Sequence, residues 1–169
     1  MEAMIRSELA GDRAAVRAVN ESAFGRREEA DLVEALHGAG AAVVALVAEV
    51  DGVVVGHILF SPVEVEGSAG QRLLGLAPMA VAPHLQRSGI GSRLVRAGLE
   101  RCRELGAAGV VVLGHPEYYP RFGFAPAGRL GLRCEYDVPP EVFMAQELFP
   151  GGLSGVSGLV RYHPAFAQV

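Results

Sequence analysis

Apolar positions in the first forty residues recur at intervals of three and four, the spacing of amphipathic helices. This pattern predicts one helix over residues 12–23 and a second over residues 28–37. We expect Asp12 to cap the first helix, because its carboxylate can accept hydrogen bonds from N–H groups of the first turn. A short strand over residues 5–9 is predicted to precede both helices.

Three long apolar runs follow the helices, and the turn signals between them predict a strand meander. The runs cover residues 41–50, 53–65 and 72–81. Asp51-Gly52 is a strong hairpin-turn signal, and a second turn is predicted over residues 67–70. Pro78 removes a ladder hydrogen bond, so we expect the third strand to bulge or to lie beside a gap there.

The second half of the chain contains the clearest helix, predicted over residues 88–105. The apolar run 109–113 is typical of a strand buried in the middle of a sheet, and a short helix or turn is predicted over 116–122. In the tail, residues 130–169, strand-like runs alternate with a short helix predicted over 140–148. A strand, a long helix and another strand indicate an α+β or α/β sheet with a parallel crossover.

Composition narrows the class of protein. The 169 residues are 50% hydrophobic, enough to bury the core of one globular domain. The net charge of −4 argues against broad nucleic-acid binding. Cys102 and Cys134 suggest neither a disulfide framework nor a metal site. Because the chain has no signal-peptide pattern and no apolar stretch of roughly 20 residues, we expect a cytoplasmic protein without membrane, nucleic-acid or metal partners.

The segment that joins the third strand to the long helix carries the candidate chemistry. It is Met79-Ala80-Val81-Ala82-Pro83-His84-Leu85-Gln86-Arg87-Ser88-Gly89-Ile90-Gly91-Ser92-Arg93-Leu94. Its glycines let a ligand approach the backbone, and the N–H groups of the first helical turn suit a pyrophosphate. Arg87 and Arg93 would add charge at the rim. A Gly-x-Gly alone also fits an ordinary helix start, but the P-loop lysine is absent, and Leu94 replaces the third glycine of the dinucleotide fingerprint.

Two motifs resemble those of the GCN5-related N-acetyltransferases. Gln86-Arg87-Ser88-Gly89-Ile90-Gly91 resembles motif A of that family, Gln/Arg-x-x-Gly-x-Gly/Ala. Tyr118-Tyr119-Pro120-Arg121-Phe122-Gly123-Phe124 resembles its closing segment, Tyr-x-x-x-Gly-Phe, and with Gly114-His115-Pro116-Glu117 it looks like the YhbS-like branch. The resemblance implies the acyl-CoA N-acyltransferase fold: an α+β, three-layer domain whose mixed, mostly antiparallel sheet has a splayed central parallel strand pair and flanking helices. It implies a single domain over residues 1–169, with a core at about 5–124.

The resemblance also implies an acyltransferase that moves an acetyl group from acetyl-CoA to a primary amine of a small molecule or protein, directly, in a ternary complex. The alternative is a non-catalytic acyl-CoA sensor on the same fold. The implied cofactor-binding residues are Met79, Ala80, Val81, Gln86, Arg87, Ser88, Gly89, Ile90, Gly91, Ser92, Tyr119 and Phe122. The acceptor amine, the length of the acyl group and the formation of a homodimer are left open.

In this family the pantetheine arm lies between the splayed strands, which here places the thioester between residues 79–81 and 113–114. A backbone N–H of the first segment would polarise the thioester carbonyl. By resemblance, Tyr119 would protonate the leaving thiolate, since counting back from Gly123-Phe124 selects Tyr119 over Tyr118.

An attacking amine must be neutral, so a general base is usually needed, and the residues alone do not identify it. Glu64 is the leading candidate, on a strand end that often faces the acceptor site in this family; an exposed, solvated carboxylate is the alternative. The other candidates are Glu66, Glu28, Glu29, His57 and His115. We expect His57 to be a core residue with satisfied hydrogen bonds. Acceptor specificity, or else solvation of an edge strand, is expected from Glu135, Tyr136, Asp137, Tyr162 and His163.

Overall fold

The structure is a computed structural model that describes residues 2–68 and 70–168. Its strands are β1 (Met4–Ser7), β2 (Val44–Val50), β3 (Val53–Val65), β4 (Leu73–Val81), β5 (Gly109–Leu113), β6 (Ala125–Pro126), β7 (Leu132–Cys134), β8 (Phe143–Glu147) and β9 (Gly158–Arg161). Its α-helices are α1 (Arg13–Phe24), α2 (Glu28–Gly38) and α3 (Ile90–Glu104). Short 3-10 helices occupy Ala10–Asp12, Pro83–Leu85, Tyr119–Phe122, Ala127–Leu130, Pro140–Val142 and Pro164–Gln168. None of the described helices has the length and apolar character needed to cross a membrane.

The strands form one mixed sheet in the order β1-β2-β3-β4-β5-β8-β6, and β9 pairs with β3 and β7. The parallel pairs are β4–β5 and β7–β9, whereas β1–β2, β2–β3, β3–β9, β5–β8 and β6–β8 are antiparallel. The β4–β5 register runs from Leu73 opposite Gly109 to Gly75 opposite Val111, although β4 continues to Val81. The predicted mixed, mostly antiparallel sheet with a central parallel pair is therefore confirmed.

Contacts divide the chain into two compact units. Unit 1 consists of Met1–Ser61, Ala77–Gly98 and Pro164–Val169. Unit 2 consists of Pro62–Leu76 and Leu99–His163. Because β3, β4 and α3 each run through both units, neither unit is a continuous stretch of sequence.

Unit 1 has the predicted three layers. On one face of its strands, α1 and α2 contribute to a buried cluster of Val16, Leu32, Val33, Leu36, Ala41, Val47 and Leu59. On the other face α3 packs closely, because Gly98 lies directly against the buried ring of Phe60.

The hairpin between β2 and β3 turns at Asp51-Gly52 with φ of 50° and 80°, as its sequence predicts. The second predicted turn, 67–70, contains Ala69, which lies outside the described residues.

Asp12 precedes α1 as predicted, but it does not cap that helix. Its carboxylate accepts a hydrogen bond from the Leu9 N–H at 2.7 Å and pairs with the Arg6 guanidinium at 2.8 Å. A 3-10 turn leads directly into α1, so Asp12 has helical backbone angles and its side chain faces the preceding turn. The hydrogen bond from Arg6, with that from Leu9, lowers the pKa of Asp12 to about 2.

The helix predicted over residues 140–148 is wrong. A short 3-10 turn, Pro140–Val142, leads instead into β8, which pairs with β5 from Phe143 opposite Leu113 to Glu147 opposite Gly109. The segment contains good helix formers, but pairing with a buried strand overrides such local preferences.

Replacing Gly98 by alanine is expected to lower the free energy of unfolding by about 1–3 kcal/mol, despite the better helix propensity of alanine. A Cβ at this position would lie 2.3 Å from Cε1 of Phe60. Gly38→Ala is the matched control, because a Cβ there meets no atom within 4 Å, and it should leave stability unchanged or raised. Urea unfolding measures both; a Gly98→Ala protein as stable as the wild type would contradict the close approach of α3.

Candidate active site

The turn between β4 and α3 exposes its backbone just before the helix. After β4 ends at Val81, the chain forms the 3-10 turn Pro83–Leu85. Arg87 and Gly89 then adopt left-handed φ of 64° and 93°, and α3 begins at Ile90. The residues between the 3-10 turn and the helix are exposed, so a ligand can reach the backbone here.

The first amides of α3 precede the helical hydrogen-bond ladder. The Arg93 N–H donates to the Gly89 carbonyl at 3.1 Å and so begins the helical ladder. The N–H groups of Ile90 and Gly91 come before it and have no earlier helical carbonyl to bond. Together with the positive end of the helix dipole, they favour a bound anion.

Polar side chains hold this turn in place. Gln86 Nε2 donates to the Val81 carbonyl at 3.0 Å, and Ser88 Oγ donates to the carbonyl three residues before it. The Arg93 guanidinium donates to the carbonyl of Ala3. Gln86, Ser88 and Arg93 therefore direct these hydrogen bonds to protein backbone. The Arg93 guanidinium, expected to add charge at the rim, is bound to the Ala3 carbonyl.

Replacing Arg87 by glycine is expected to raise the free energy of unfolding by about 0.5 kcal/mol. The left-handed backbone disfavours a residue with a Cβ, and the greater freedom of glycine in the unfolded chain offsets part of the gain. Arg87 is exposed and forms no ion pair within the described part of the chain. Arg87→Gln keeps the Cβ, so it should leave stability unchanged in urea unfolding. Equal stability of the two variants would show that the φ of 64° is not strained.

The predicted cofactor-binding residues fall into two groups. Those in unit 1 follow one path from β4 through the turn into α3: Met79, Ala80, Val81, Gln86, Arg87, Ser88, Gly89, Ile90, Gly91 and Ser92. Tyr119 and Phe122 lie in unit 2, with ring centroids 6.3 Å apart.

Tyr119 is enclosed by other aromatic rings. It is 7% exposed and makes edge-to-face contacts with Tyr118 at 5.1 Å and Phe124 at 5.8 Å. Burial, with a smaller contribution from Tyr118, raises the pKa of Tyr119 to about 12. The phenol therefore carries its proton at neutral pH. Tyr118 differs, since it is half-buried and the Arg121 guanidinium lies 4.7 Å from its ring centroid.

Glu64 lies on an exposed part of β3 in unit 2, opposite Arg161 of β9. It lines an open cavity of about 310 Å³, together with Gln71 and several apolar residues. Arg161 forms its ion pair with Glu66, and within the described residues Glu64 has no ion pair. Tyr119 is not among the described residues that line this cavity.

The other candidate bases are engaged or exposed. Both carboxylate oxygens of Glu29 accept hydrogen bonds from Arg26, at 2.9 and 2.5 Å, and Glu28 lies 3.3 Å from the same guanidinium. Both carboxylates are therefore paired with Arg26. His115 is exposed, and its backbone carbonyl accepts from the Tyr119 N–H at 3.3 Å.

His57 is a fully buried core residue with hydrogen-bond partners, which confirms its prediction. Its Nε2 lies 3.0 Å from Glu8 Oε1, and its Nδ1 lies 3.3 Å from Asn20 Nδ2. Glu8 also pairs with His37 at 3.1 Å and with Arg13 at 3.3 Å. Sequence reasoning missed this buried cluster, because its members come from separate elements without a shared spacing. In the described part of the chain, no His, Cys, Asp or Glu group is arranged to hold a metal ion.

Three of the predicted specificity residues of the tail meet in unit 2. The Tyr162 N–H donates to the carboxylate of Glu135. The ring centroids of Tyr136 and Tyr162 are 6.0 Å apart, and Tyr162 is buried. The side chains of Glu135, Tyr136 and Tyr162 therefore contact other parts of the tail, and solvation of a strand edge does not describe them.

Comparison with known proteins decides the family. The sequence profile of the Acetyltransferase (GNAT) family matches residues 13–124 of this chain. The chain belongs to this family. Its members are acyltransferases, so the chain is an enzyme of that class.

Curated GNAT relatives support the same assignment. The chain is 39% identical to the N-acetyltransferase YhbS of Escherichia coli strain K12 over 164 residues, which cover 96% of this chain and 98% of YhbS. It is 43% identical to the N-acetyltransferase YjhQ of the same strain over 134 residues, covering 77% of this chain and 74% of YjhQ.

Solved GNAT structures show the same fold. E. coli YhbS in complex with CoA matches with a TM-score of 0.94 at 39% identity, covering 99% of this chain and 93% of YhbS. A GNAT acetyltransferase from Brucella melitensis in complex with acetyl-CoA matches with a TM-score of 0.82 at 38% identity, covering 98% of each chain.

Proposed function

We propose that this enzyme transfers the acetyl group of acetyl-CoA to a primary amine of a small molecule or protein, directly, in a ternary complex in the cytoplasm. The observation that carries the proposal is the match over 99% of the chain to YhbS, whose structure contains CoA. The Brucella relative was solved with acetyl-CoA, which supports the acetylated donor.

The donor's pyrophosphate is assigned to the turn before α3. Ile90 and Gly91 offer first-turn amides there, and Arg87 offers an exposed cation. A Cβ at Gly89 would meet no atom within 4 Å, so the space above this backbone is open. The amides, the charge and the open space fit a diphosphate.

Tyr119 is proposed as the general acid. Acetyl-CoA supplies the acyl group as a thioester, and the departing sulfur requires a proton. Burial raises the pKa of Tyr119 to about 12, so the phenol is protonated at neutral pH and has a proton to give. An enclosed thiolate is also more basic than one in water, because burial disfavours its charge. Backbone N–H groups at Met79 or Ala80 are proposed to polarise the thioester carbonyl.

Glu64 is proposed to accept the proton that the amine loses when it attacks. The carboxylate of Glu64 is exposed and forms no ion pair within the described residues, whereas Glu29 is held by Arg26. Glu64→Gln tests the role, because a base variant should lower kcat most at low pH, where less of the amine is already neutral.

The proposal is tested in two steps on the whole chain. Acetyl-CoA should stabilise the folded protein by about RT ln(1 + [L]/Kd) and so raise its melting temperature. ATP at the same concentration should not raise the melting temperature. Thiol release from acetyl-CoA is then measured across a panel of polyamines, amino sugars, amino acids and lysine peptides.

Three outcomes separate the alternatives. Release with one amine class identifies the acceptor, whereas binding without release from any amine would favour the acyl-CoA sensor. Absence of binding would overturn the proposal. Arg87→Gln and Arg87→Gly should weaken acetyl-CoA binding equally, because both remove the cation. The relaxed backbone of Arg87→Gly should change stability alone.

A further inference from the structure

Gly114 follows β5 and lies against the ring of Tyr119. A Cβ at this position would be 2.3 Å from Cε2 of Tyr119 and 2.8 Å from Cδ2. The backbone of Gly114 is not in the left-handed region, unlike that of Gly123 with φ of 100°. Other residues could adopt the backbone conformation of Gly114. Glycine is therefore required here because the Tyr119 ring occupies the space that a Cβ would take.

The ring has little freedom to move away from Gly114. Tyr118 and Phe124 contact it edge-to-face at 5.1 and 5.8 Å, and Phe122 lies 6.3 Å away on the same 3-10 helix. The chain at this position is held as well, because the Gly114 N–H donates to the Val142 carbonyl at 3.0 Å.

We infer that Gly114 is a positioning residue that sets the place of the Tyr119 phenol. This inference rests on the proposed acid role of Tyr119. An ordinary contact of a Cβ begins near 3.4 Å, so alanine at 114 must displace the ring or the strand end by about 1 Å. A displacement of this size is enough to cost about 10²-fold in rate when a reacting group is misplaced.

The experiment is a double-mutant cycle on the full chain, with acetyl-CoA and the amine found by the panel. Gly114→Ala should lower kcat by about 10²-fold and change the KM for acetyl-CoA by less than about threefold. In the Tyr119→Phe background, which already lacks the acid, Gly114→Ala should cause little further loss. Gly128→Ala is the matched control: it is exposed in unit 2, a Cβ there meets no atom within 4 Å, and its kcat should stay within about twofold of the wild type.

The outcomes distinguish this inference from the acid role. If Tyr119→Phe has the wild-type rate, the acid role fails. If Tyr119→Phe is slow while Gly114→Ala is as fast as the wild type, or the two losses multiply, only the positioning role fails. Should Gly114→Ala not fold, Gly114→Ala with Tyr119→Leu is purified: recovery of the fold supports the contact with the ring, and failure to recover it overturns the inference.

Discussion

Tyr119→Phe lowers kcat by about 10²-fold, with little change in the affinity for acetyl-CoA, if the phenol protonates the departing sulfur. Phenylalanine keeps the aromatic contacts to Phe122 and Phe124 and removes only the hydroxyl group. The loss should therefore appear in turnover, with the melting temperature nearly unchanged. Stopped-flow measurement of thiol release, beside a thermal shift with acetyl-CoA, separates the two effects.

The pH profile gives an independent check of the same residue. A general acid must be protonated, so its contribution is lost as the pH rises through its pKa. Because burial raises the pKa of Tyr119 to about 12, the wild-type rate should show no falling limb from this group below about pH 11. Tyr118→Phe is the control and should leave kcat within about threefold. An unchanged rate in Tyr119→Phe would remove the acid role altogether.

Turn and stop signals in the sequence predicted correctly the elements that such signals flank. The strand Val53–Val65 begins after Asp51-Gly52, and Gly109–Leu113 is short, apolar and preceded by a glycine stop, so both were predicted with their observed bounds. The helix prediction for residues 140–148 was wrong, because the partner strand lies thirty or more residues earlier in the chain. Its composition favours a helix, and only tertiary pairing reveals the strand.

The candidate site divides in the same way. The motif turn at residues 86–91 could be found from consecutive residues, because one stretch of backbone supplies its chemistry. The contact of Gly114 with Tyr119 could not, since a glycine gives no sign in sequence of the ring that takes the place of its side chain. The cluster around Glu8 is harder still, because Asn20, His37 and His57 reach it from different helices and strands.

Glu8→Gln should lower the free energy of unfolding by about 3 kcal/mol at neutral pH. The carboxylate of Glu8 is 1% exposed and faces His57, His37 and Arg13, at 3.0, 3.1 and 3.3 Å. An amide keeps the shape, but it carries no charge, and its NH₂ group meets donors that need an acceptor. Glu141→Gln is the control, since Glu141 is exposed and forms no ion pair among the described residues, and its effect should stay within about 0.5 kcal/mol.

The stability difference between wild type and Glu8→Gln should also depend on pH. Burial raises the pKa of Glu8, but hydrogen bonds and charges from His57 and His37 outweigh it, so the net pKa lies below the usual 4.5. A lowered pKa in the folded state means that the stabilisation is complete above pH 4.5 and is lost as the pH falls through the folded value. Urea unfolding at pH 5.5 and pH 3.5 should therefore give a smaller difference at the lower pH. The same difference at both values would contradict a contribution from the ionised carboxylate, because that contribution is lost when Glu8 takes up a proton.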